Sequence, residues 1–510
     1  MAILVGGCAA LAGLGDYGEA LTTGAGGAVA TGGSGSGGDE RGGGGSMPEC
    51  ALDGAGTAWD PALVRTLEAT QDARASAVAT DGQRRLIAGG WYRGELRGGD
   101  EGGAAPVLCP ESGATTSGFV ARWSEDGSVR DVFCFGDDTA DQEVIAIAVA
   151  ADDTVFAGGR FVGDFAGGLA TTEMSGMVLA LDPSGLGLAA SQQLGVVGEQ
   201  RVSELLVRGA ELFVGGWFQQ ELDIGGVVTA MGGNVSDAFV VSMPHDLSTA
   251  DLVVVAGNED EESGITGLDD DVANGRLVMS GLFGGQIALD EGVVDSLGGR
   301  DGFVASVGAS EWIAQLGGSM SERVTDVAVG PRGEVFLVGD YETDGAVLAD
   351  ASDSDVVLTD AGAVVASGLV AALDDDGSHR WHHWITSTNG PFNFYTVATD
   401  GTHVLYGGSY VALTSMEGGT MCGGMACGDL LLPSTTTRSA LLAVVDAADG
   451  STSAVRLGQG SQDAYLRDVA FDACGSAIVL LEYSATLSFG QTLPNLTNGI
   501  AVARLYRPEP

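Results

Sequence analysis

The chain has 510 residues, 45% of them hydrophobic, and it carries 22 basic against 69 acidic residues, a formal net charge of −47. All 22 basic residues are arginine, which excludes chemistry that needs a lysine amine, such as a Schiff base or a P-loop phosphate contact. A surface this anionic repels nucleic-acid phosphates, so we expect no nucleic-acid partner. Glycine is abundant at 84 residues and proline sparse at 12, which favours many tight turns over collagen-like or polyproline structure.

Residues 1–12 are interpreted as a residual export signal. The stretch VGGC, Val5 to Cys8, resembles the lipobox of bacterial lipoproteins, and the resemblance implies that Cys8 carries acyl chains. The apolar stretch before Cys8 is short and contains no basic residue. Ala10 to Ala12 offers an alternative A-x-A cleavage site, which would give a freely secreted protein. We therefore expect an exported protein, either secreted or a lipoprotein of the outer membrane or cell surface, whose one membrane contact is the lipid anchor.

Residues 13–58 are predicted to form a flexible tether rich in glycine and serine. Of the 22 residues from Gly24 to Gly45, 12 are glycine, and the segment has no apolar periodicity. Such a composition offers almost no side chain to bury and is typical of a flexible coil. The folded domain is expected over residues 59–510.

The predicted domain contains seven copies of one unit. In unit one, four β-prone runs follow one another, joined by Asp-Gly turns and one longer loop. These runs are RASAVAT (Arg74–Thr80), RLIAGGWY (Arg85–Tyr92), GFVARW (Gly118–Trp123) and VRDVFCF (Val129–Phe135). An aromatic residue after the glycine position recurs in every unit, at intervals of 57 to 73 residues. The seven aromatics are Tyr92, Phe161, Phe218, Phe283, Tyr341, Tyr410 and Tyr483.

This order predicts an all-β protein, a seven-bladed β-propeller of four-stranded antiparallel blades. The units resemble bacterial SBBP (seven-bladed β-propeller) repeats in the stretches GGWFQQELDIGG…SDAFVVS and SGLFGGQIALD…GRDGFVAS. Unit seven ends after its third run, and Ala62–Ala73, ahead of unit one, is similar to Ala454–Ala464 at the end of unit six. We therefore expect the N-terminal strand to close the last blade as its outer strand.

The seven cysteines predict one lipidation site and a set of disulfides. Without Cys8 six remain, an even number that suits an oxidising compartment. The candidate pairs are Cys109–Cys134 within unit one, Cys422–Cys427 within one loop of unit six, and Cys50–Cys474 across the ends of the closed ring. Six cysteines allow 15 connectivities, so other pairings and free thiols stay open. Their dispersal and the lack of a C-x₂-C pair disfavour a zinc site.

The histidine-rich stretch HRWHHWI, His379–Ile385, lies at the fourth-strand position of unit five. We expect these histidines on the surface. His382 and His383 are consecutive in a strand, so they point to opposite faces and cannot bind one metal ion together. The stretch is therefore not predicted to be a metal or catalytic site.

Three acidic runs are the remaining candidates for a chemical role. They are Glu259–Glu262, Asp269–Asp271 and Asp374–Asp376. We interpret them as turn-forming and solvated carboxylates, since Asp-Gly pairs are typical of turns. Binding of Ca²⁺ is the alternative, because clustered carboxylates are its preferred ligands. No catalytic, cofactor or metal residue is predicted.

The repeated glycine-aromatic pair is interpreted as packing between blades and not as a sugar-binding platform. A ligand site is expected in the insertions between second and third runs, such as Gly98–Ser117 and Glu417–Arg438, because all of them lie on one face of the ring. The sequence thus predicts a monomeric, non-catalytic surface module that binds an unidentified protein or glycan. The alternative is an extracellular hydrolase or lyase that acts on polysaccharides through these loops.

Overall fold

The computed structural model describes residue 59 and residues 61–506, with short gaps. The predicted signal and tether segments, and with them Cys8 and Cys50, lie outside the described residues, as do Cys422 and Cys427. The gaps within the domain are residues 100–105, 125–126, 137–139, 166–167, 226–227, 258–260, 290–291, 309–310, 343–344, 352–354, 359–366, 388–391, 412–413, 419–429, 433–436 and 494.

The described part of the chain is all-β, contains no helix, and pairs its strands in antiparallel sheets. The strands are short Val-, Ala- and Leu-rich runs that are buried along most of their length, as in Glu211–Phe218, Val335–Tyr341, Ser367–Leu373 and Ser439–Asp446, a composition that favours buried strands. In chain order the strands are β1 (Pro61–Ala69), β2 (Asp72–Thr80), β3 (Leu86–Gly99), β4 (Val107–Trp123), β5 (Val129–Phe135), β6 (Gln142–Val149), β7 (Val155–Asp164), β8 (Ala170–Leu181), β9 (Leu188–Leu194), β10 (Gln200–Arg208), β11 (Glu211–Phe218), β12 (Glu221–Ile224), β13 (Val228–Met231), β14 (Asp237–Pro244), β15 (Asp251–Ala256), β16 (Ser263–Asp271), β17 (Arg276–Leu289), β18 (Gly292–Val307), β19 (Trp312–Gly317), β20 (Glu322–Val329), β21 (Val335–Tyr341), β22 (Ala346–Ala349), β23 (Asp355–Leu358), β24 (Ser367–Leu373), β25 (His379–Ser387), β26 (Phe392–Thr399), β27 (His403–Tyr410), β28 (Thr414–Gly418), β29 (Leu430–Leu432), β30 (Ser439–Asp446), β31 (Thr452–Gly460), β32 (Ala464–Phe471), β33 (Ala477–Ala485), β34 (Leu487–Phe489), β35 (Gln491–Thr492) and β36 (Leu496–Leu505).

One pairing pattern of four strands recurs along the chain. A first strand pairs with the second, the second with the third, and the third with the fourth. The units, numbered one to seven, begin at β2, β6, β10, β16, β20, β26 and β32. In unit seven the fourth position is held by β1, which pairs with β36 from Pro61↔Leu505 to Glu68↔Gly499. The segment that the sequence predicts as the closing strand thus lies beside the third strand of the last unit.

The first strands of successive units contact one another. Each first strand lies against the next along the chain, and β32 of unit seven lies against β2 of unit one. The contacts therefore return to their starting point. Hydrophobic clusters fill the spaces between neighbouring units, for example between units one and two around Ile87, Ile147 and Phe161.

Every first strand contains a β-bulge at an equivalent position. In unit one the register between β2 and β3 shifts between Ala75 and Ala77, so that Ser76 is the extra residue. The other six units have the same shift. A bulge of this kind bends the strand and re-aims the side chains around it. The bulge thus gives the first strands of these units a shared local geometry.

Each glycine of the pair in the second strand is explained by a different close contact. A Cβ atom on Gly90 would lie 2.0 Å from the carbonyl oxygen of Arg74, just before the bulge of its own unit. A Cβ atom on Gly89 would lie 2.7 Å from side-chain carbons of Val144 and Ile147 in unit two. No side chain fits at either position, so the first glycine admits the next unit and the second admits the bulged strand.

The aromatic residue after the glycine pair packs towards the preceding unit. All seven landmark aromatics are buried. Tyr92 lies edge-on to Phe119 of its own unit, with ring centres 6.4 Å apart, and clusters with Leu480 and Ile500 of unit seven. The interpretation of the glycine-aromatic pair as a packing device is confirmed.

In units five, six and seven the insertion between the second and third strands forms a hairpin that extends the sheet of the preceding unit. These hairpins are β22–β23, β28–β29 and β34–β35, and they pair with β19, β25 and β31. In unit one, β3 itself continues far enough to pair with β1, from Thr66↔Gly99 to Ala69↔Leu96. Each hairpin covers the outer edge of the preceding unit, which otherwise exposes unpaired backbone groups.

The expectation that a ligand site lies in the insertions Gly98–Ser117 and Glu417–Arg438 stays a prediction, because residues 100–105, 419–429 and 433–436 lie outside the described residues. The described parts of these insertions belong largely to β3, β4, β28 and β29, which form ladder hydrogen bonds. In these parts the backbone groups are used in the sheets.

Candidate functional site

A set of mainly polar side chains lies at one end of the first strands, two residues before the extra residue of each bulge. Residues two apart on a strand share a face, so these positions and the bulged residues point the same way. We call this set the inner ring. From unit one to unit seven it consists of Arg74, Glu143, Arg201, Gly264, Arg323, Asn393 and Tyr465.

In units two and three the inner ring forms a charged cluster. Arg160 Nε lies 2.7 Å from Glu143 Oε1, and a guanidinium nitrogen of Arg201 lies 4.0 Å from the same oxygen. Arg201 is fully buried, and this burial lowers its pKa to about 10 although Glu143 acts in the opposite direction. Glu143 thus links the two units electrostatically.

Between units seven and one, Glu482 on the second strand of unit seven makes the corresponding contacts with two arginines. Its Oε2 atom accepts a hydrogen bond of 2.8 Å from Arg467 Nε and lies 3.5 Å from Arg74 Nε. Arg467 is the extra residue of the unit-seven bulge and is buried. Its guanidinium carbon lies 4.3 Å from the ring centre of Tyr465 and 5.4 Å from that of Tyr395. These cation–π contacts hold Tyr465 in a fixed orientation.

A cavity of about 290 Å³ opens next to this cluster, between units seven and one. Its walls include the carboxylates of Asp72, Asp463 and Glu482 and the rings of Tyr465 and Tyr483. Tyr483 is one of the landmark aromatics and packs in the cluster between units six and seven. The cavity is therefore a mainly polar, concave site beside the charged cluster.

Unit five continues the inner ring towards unit six. Arg323 Nε donates a hydrogen bond of 2.9 Å to Asp340 Oδ2, and Asp340 Oδ1 accepts one of 3.2 Å from the backbone N–H of Phe394 in unit six. Burial raises the pKa of Asp340, although the Arg323 guanidinium opposes the shift. The ion pair lies within the sheet of unit five, and the hydrogen bond from Phe394 joins it to unit six.

Deeper along the first strands, the residue that follows the extra residue of the bulge makes hydrogen bonds between units. Asp468 Oδ2 of unit seven accepts the N–H of Val78 in unit one at 2.7 Å. Asp326 Oδ2 of unit five accepts the N–H of Val397 in unit six at 2.8 Å. We call such bonds junction clasps. Burial raises the pKa of both carboxyl groups well above the usual range.

Two further junction clasps use other residue types or positions. Thr396 of unit six takes the place of the aspartate, and its Oγ1 atom accepts the N–H of Val469 at 3.2 Å and donates to Asp468 Oδ1 at 3.0 Å. In unit four Gly267 holds this position, and the clasp lies two residues further on, where Asp269 Oδ2 accepts the N–H of Val329 at 2.7 Å.

The acidic runs have two different environments. Asp374–Asp376 forms an exposed turn in which Asp376 accepts hydrogen bonds from Ser378, in agreement with the turn interpretation. Asp269–Asp271 does not fit the solvated interpretation, because Asp269 clasps unit five and Asp271 is buried against Arg276. Burial raises the pKa of Asp269 to about 7. Part of the run Glu259–Glu262 lies outside the described residues, and in the remainder Glu262 pairs with Arg300 at 2.6 Å.

The expectation that the histidines of unit five are exposed is wrong for His382 and His383, each of which is 4% exposed. Hairpin β28–β29 of unit six covers β25, so the strand is not an outer edge. Burial lowers the pKa of His382 to about 3 and that of His383 to about 4, which keeps both rings neutral. A register shift near the start of β25 lets His379 Nε2 approach His382 Nδ1 to 2.9 Å.

Within the described residues, no group of three or more His, Cys, Asp and Glu side chains is arranged to hold a metal ion. Cys109 and Cys134 form a disulfide, which matches the candidate pair of unit one. Cys474 is also disulfide-bonded. Its candidate partner Cys50 lies outside the described residues, so that pairing stays a prediction.

The inner ring was not recognised from the sequence. A signal for it exists, because its members stand 17 to 19 residues before the landmark aromatic of their unit. Arg74 precedes Tyr92 by 18 residues, as Glu143 precedes Phe161. In units one, two, three and five this position holds a charged residue at a nearly constant offset, inside an otherwise apolar run. The bulge hides this signal, since it breaks the alternation of facing and buried residues.

No family model matches the chain. Over 156 residues, 29% of its length, it is 31% identical to "Regulatory protein FlaEY" of Caulobacter vibrioides, and it spans 16% of that protein. Among solved structures it is similar to the propeller of Dos1, with a TM-score of 0.35 and 11% identity over 86% of this chain and 80% of that one. It is also similar to a quinohemoprotein alcohol dehydrogenase from Comamonas testosteroni, with a TM-score of 0.36 and 10% identity over 82% of this chain and 66% of that one. Among the residues that the structure describes, no helix is long and apolar enough to span a membrane.

Proposed function

We propose that the protein is an exported, non-catalytic binding module, built as a seven-bladed β-propeller whose last blade is completed by β1. The architecture is supported by the recurrent four-strand pairing and by the contact of each first strand with the next, including β32 with β2. The pairing of β1 with β36 supports the closure. Closure of this kind removes an exposed sheet edge, which is a general requirement of propellers.

The observation that carries the proposed binding role is the inner ring together with the adjacent cavity. The protein as a whole is strongly acidic, yet Arg74, Arg201 and Arg323 stand at equivalent positions around one end of the units. Tyr465 and the cavity of about 290 Å³ complete this end. Charged groups held at fixed positions beside a concave surface favour recognition of a ligand.

A non-catalytic role is supported by the pairing of the inner-ring charges. Glu143 and Glu482 each contact two arginines, and Asp340 contacts one arginine and one backbone N–H. General acid–base catalysis requires a group that can exchange a proton with the substrate at the working pH. Carboxylates held by guanidinium groups are better suited to fixing shape and charge.

Export is supported by the disulfide between Cys109 and Cys134, because stable disulfides belong to oxidising compartments. We further propose that Cys8 carries a lipid anchor and that residues 13–58 tether a monomeric domain to the cell surface. The lipid anchor is tested by expressing the gene with its upstream codons in a Gram-negative host. The intact mass of the purified protein is then measured. Added acyl mass on Cys8 supports the anchor, whereas a chain cleaved within residues 10–12 and free of lipid contradicts it.

A glycan array, run with and without Ca²⁺ and followed by incubation of each hit with excess protein, tests the binding role. We expect retained binding without release of shorter products. Product release would overturn the non-catalytic proposal in favour of a hydrolase or lyase. Binding that disappears when Ca²⁺ is removed would instead support the acidic runs as Ca²⁺ ligands.

A further inference from the structure

We propose that Arg74 and Arg201 of the inner ring bind the carboxylate group of a small ligand whose other side carries hydrogen-bond donors. The inference rests on the proposed binding function and names its ligand class. Each of the two arginines lies directly opposite a tryptophan of the second strand. The pairs are Arg74↔Trp91 in unit one and Arg201↔Trp217 in unit three. Units one and three thus present the same pair of side chains at the same position.

The corresponding positions of units two and five contain their own counter-charges. The opposed residues are Glu143 and Arg160 in unit two, and Arg323 and Asp340 in unit five. Side chains directly opposite one another on two strands are close enough to neutralise each other. Tryptophan carries no charge, so it does not neutralise the arginine opposite it.

The carboxylates that contact Arg74 and Arg201 come from other units, and each is shared with a second arginine. The shared groups are Glu482 with Arg74 and Arg467, and Glu143 with Arg201 and Arg160. Among these six side chains, four guanidinium groups face two carboxylates. Burial lowers the pKa of Arg201 to about 10, and its guanidinium neighbours Arg160 and Arg74 act in the same direction. An anion bound among these like charges is therefore stabilised by them.

The arginine cluster is accessible to solvent although the protein around it is acidic. The side chain of Arg160 is 33% exposed and that of Arg74 is 17% exposed, whereas Arg201 is 1% exposed. The guanidinium carbon of Arg74 lies 5.7 Å from the ring centre of Trp91, a cation–π contact that orients it. A small anion can reach the exposed members of the cluster, and the burial of Arg201 strengthens its attraction because less water screens it.

Carboxylates stand just outside the inner ring and limit what can bind. Two residues before the inner-ring position, five of the seven units have an acidic residue, namely Asp72, Asp141, Glu199, Glu262 and Asp463. Four of the five are exposed, and Glu262 is half-buried. These outer carboxylates repel a polyanion, and they accept hydrogen bonds from hydroxyl or ammonium groups. Arginines inside a set of carboxylates therefore suit a ligand with one carboxylate and several donors, such as a sugar acid or an amino acid.

A carboxylate fits the two arginines better than phosphate does. It carries a single charge and pairs with a guanidinium group through two parallel hydrogen bonds. A phosphate dianion loses more hydration on binding and is repelled more strongly by the outer carboxylates.

The test uses the full chain and four small probes. These are a methyl hexuronate glycoside, the neutral methyl hexoside that lacks its carboxylate, alanine as an amino acid, and inorganic phosphate. Binding is measured by isothermal titration at low and at physiological ionic strength. We expect the hexuronate or alanine to bind at least about tenfold more tightly than the neutral hexoside, and more weakly as the ionic strength rises. Which of the two binds distinguishes hydroxyl donors from an ammonium donor.

The variants are Arg74→Gln and Arg201→Gln, each expected to reduce the affinity for the bound carboxylate about tenfold, since each loses a hydrogen bond to a charged group. Arg201 is buried, so near-UV circular dichroism checks that its variant folds, and Arg74→Gln decides the test if it does not. The control is Arg332→Gln, which makes the same change at an exposed arginine in the turn between β20 and β21, at the opposite end of its unit from the inner ring. It is expected to bind as the unchanged protein does.

Three results would overturn the inference, namely equal affinity for the hexuronate, alanine and the neutral hexoside, tighter binding of phosphate than of either carboxylate, or undiminished affinity in Arg74→Gln. Glycan binding on the array without any binding of the carboxylate probes would also overturn it, while leaving the binding module intact. If the unchanged chain binds neither a glycan on the array nor any of the probes, the glycan form of the proposed function fails with it.

Discussion

Six of the seven junctions between units fall into two groups that differ in chemistry. In the first group are four consecutive junctions, from that of units four and five to that of units seven and one. At each of them a side chain accepts a backbone N–H of the next unit; in order, these side chains are Asp269, Asp326, Thr396 and Asp468. Units one and two have alanine at the clasp position. Ala77 packs in a cluster with Ile147 of unit two, and Ala146 in one with Leu205 of unit three.

The difference shows two ways to hold equivalent strands together. Apolar packing is non-directional and tolerates small sliding movements, whereas a buried hydrogen bond is satisfied in one register only. The clasped group includes the junction of units seven and one, where Thr70 and Gln71 connect β1 to β2. There the clasp of Asp468 is joined by the ion pair of Arg84 with Asp472 at 3.0 Å, and by the pairing of β1 with β36. Directional contacts thus also hold the junction at which the two ends of the domain meet.

Removal of β1 tests the closed junction most severely. Deleting residues 61–69 removes the partner of β36 and of the extended part of β3, and it exposes the outer edge of unit seven. We expect the midpoint of thermal unfolding to fall by about 10 °C or more, with aggregation at the open edge. Circular dichroism melts measure this. Deleting residues 13–45, within the predicted tether, is the control and should leave the midpoint unchanged; equal midpoints for both deletions would argue against closure by β1.

Substitution of one clasp residue tests the same junction more finely. Asp468→Ala leaves the buried N–H of Val78 without its acceptor and also removes the partner of Thr396. We expect the free energy of unfolding to fall by about 3 kcal/mol, since leaving a buried polar group unsatisfied costs roughly 1 to 3 kcal/mol and two groups are affected. Denaturant titration measures this. Asp182→Ala, in an exposed turn, is the matched control and should cost less than about 1 kcal/mol.

The repeat architecture is visible in the sequence because its landmarks are local. The glycine pair and the aromatic of Gly89–Tyr92 recur in order, and their packing role follows from counting the copies. The N-terminal closing segment is equally visible, because Ala62–Ala73 is similar to the end of unit six. Short Asp-Gly turns between β-prone runs account for the strand order. Each of these signals lies within about 20 residues and depends on no distant contact.

The clasps, the hairpins and the site could not be predicted, since each depends on contacts between units. Asp269 stands in a run that resembles a solvated turn, and its burial is a property of unit five lying against it. His383 looks exposed until hairpin β28–β29 of the next unit covers its strand. Tyr465 and Asp72 are 393 positions apart in the chain and meet in one cavity only because the ends of the domain meet.

The pH dependence of stability distinguishes the clasped junctions from the apolar ones. Burial raises the pKa of Asp269 to about 7, above its unfolded value of roughly 3.9. Between these two values the folded state binds a proton that the unfolded state does not. The free energy of unfolding is therefore expected to fall as the pH rises from about 4 to about 7, by up to about 1.4 kcal/mol per pH unit from this group.

The matched variants isolate this contribution. Asp269→Asn has no titratable group but keeps an oxygen for the N–H of Val329, so the slope attributable to Asp269 should disappear. Asp376→Asn is the control, because hydrogen bonds from Ser378 lower the pKa of Asp376 and it does not titrate in this range. Denaturant titrations at several pH values provide the measurement. An unchanged slope in Asp269→Asn would mean that Asp269 does not bind the extra proton.

The clasp of Thr396 gives the smallest expected effect and the cleanest comparison of the two kinds of junction. Thr396→Val keeps the shape of the side chain and makes this junction apolar, like the junctions at Ala77 and Ala146. It removes the acceptor of the Val469 N–H at 3.2 Å and the donor to Asp468 Oδ1 at 3.0 Å. We expect a loss of about 1 kcal/mol, because Val469 N–H also lies 2.7 Å from Asp468 Oδ1 and keeps that acceptor. Thr396→Ser retains the hydroxyl and should recover most of the loss in denaturant titration. If Thr396→Val is as stable as the unchanged protein and Thr396→Ser is not, packing of the methyl group and not the hydrogen bond holds this junction.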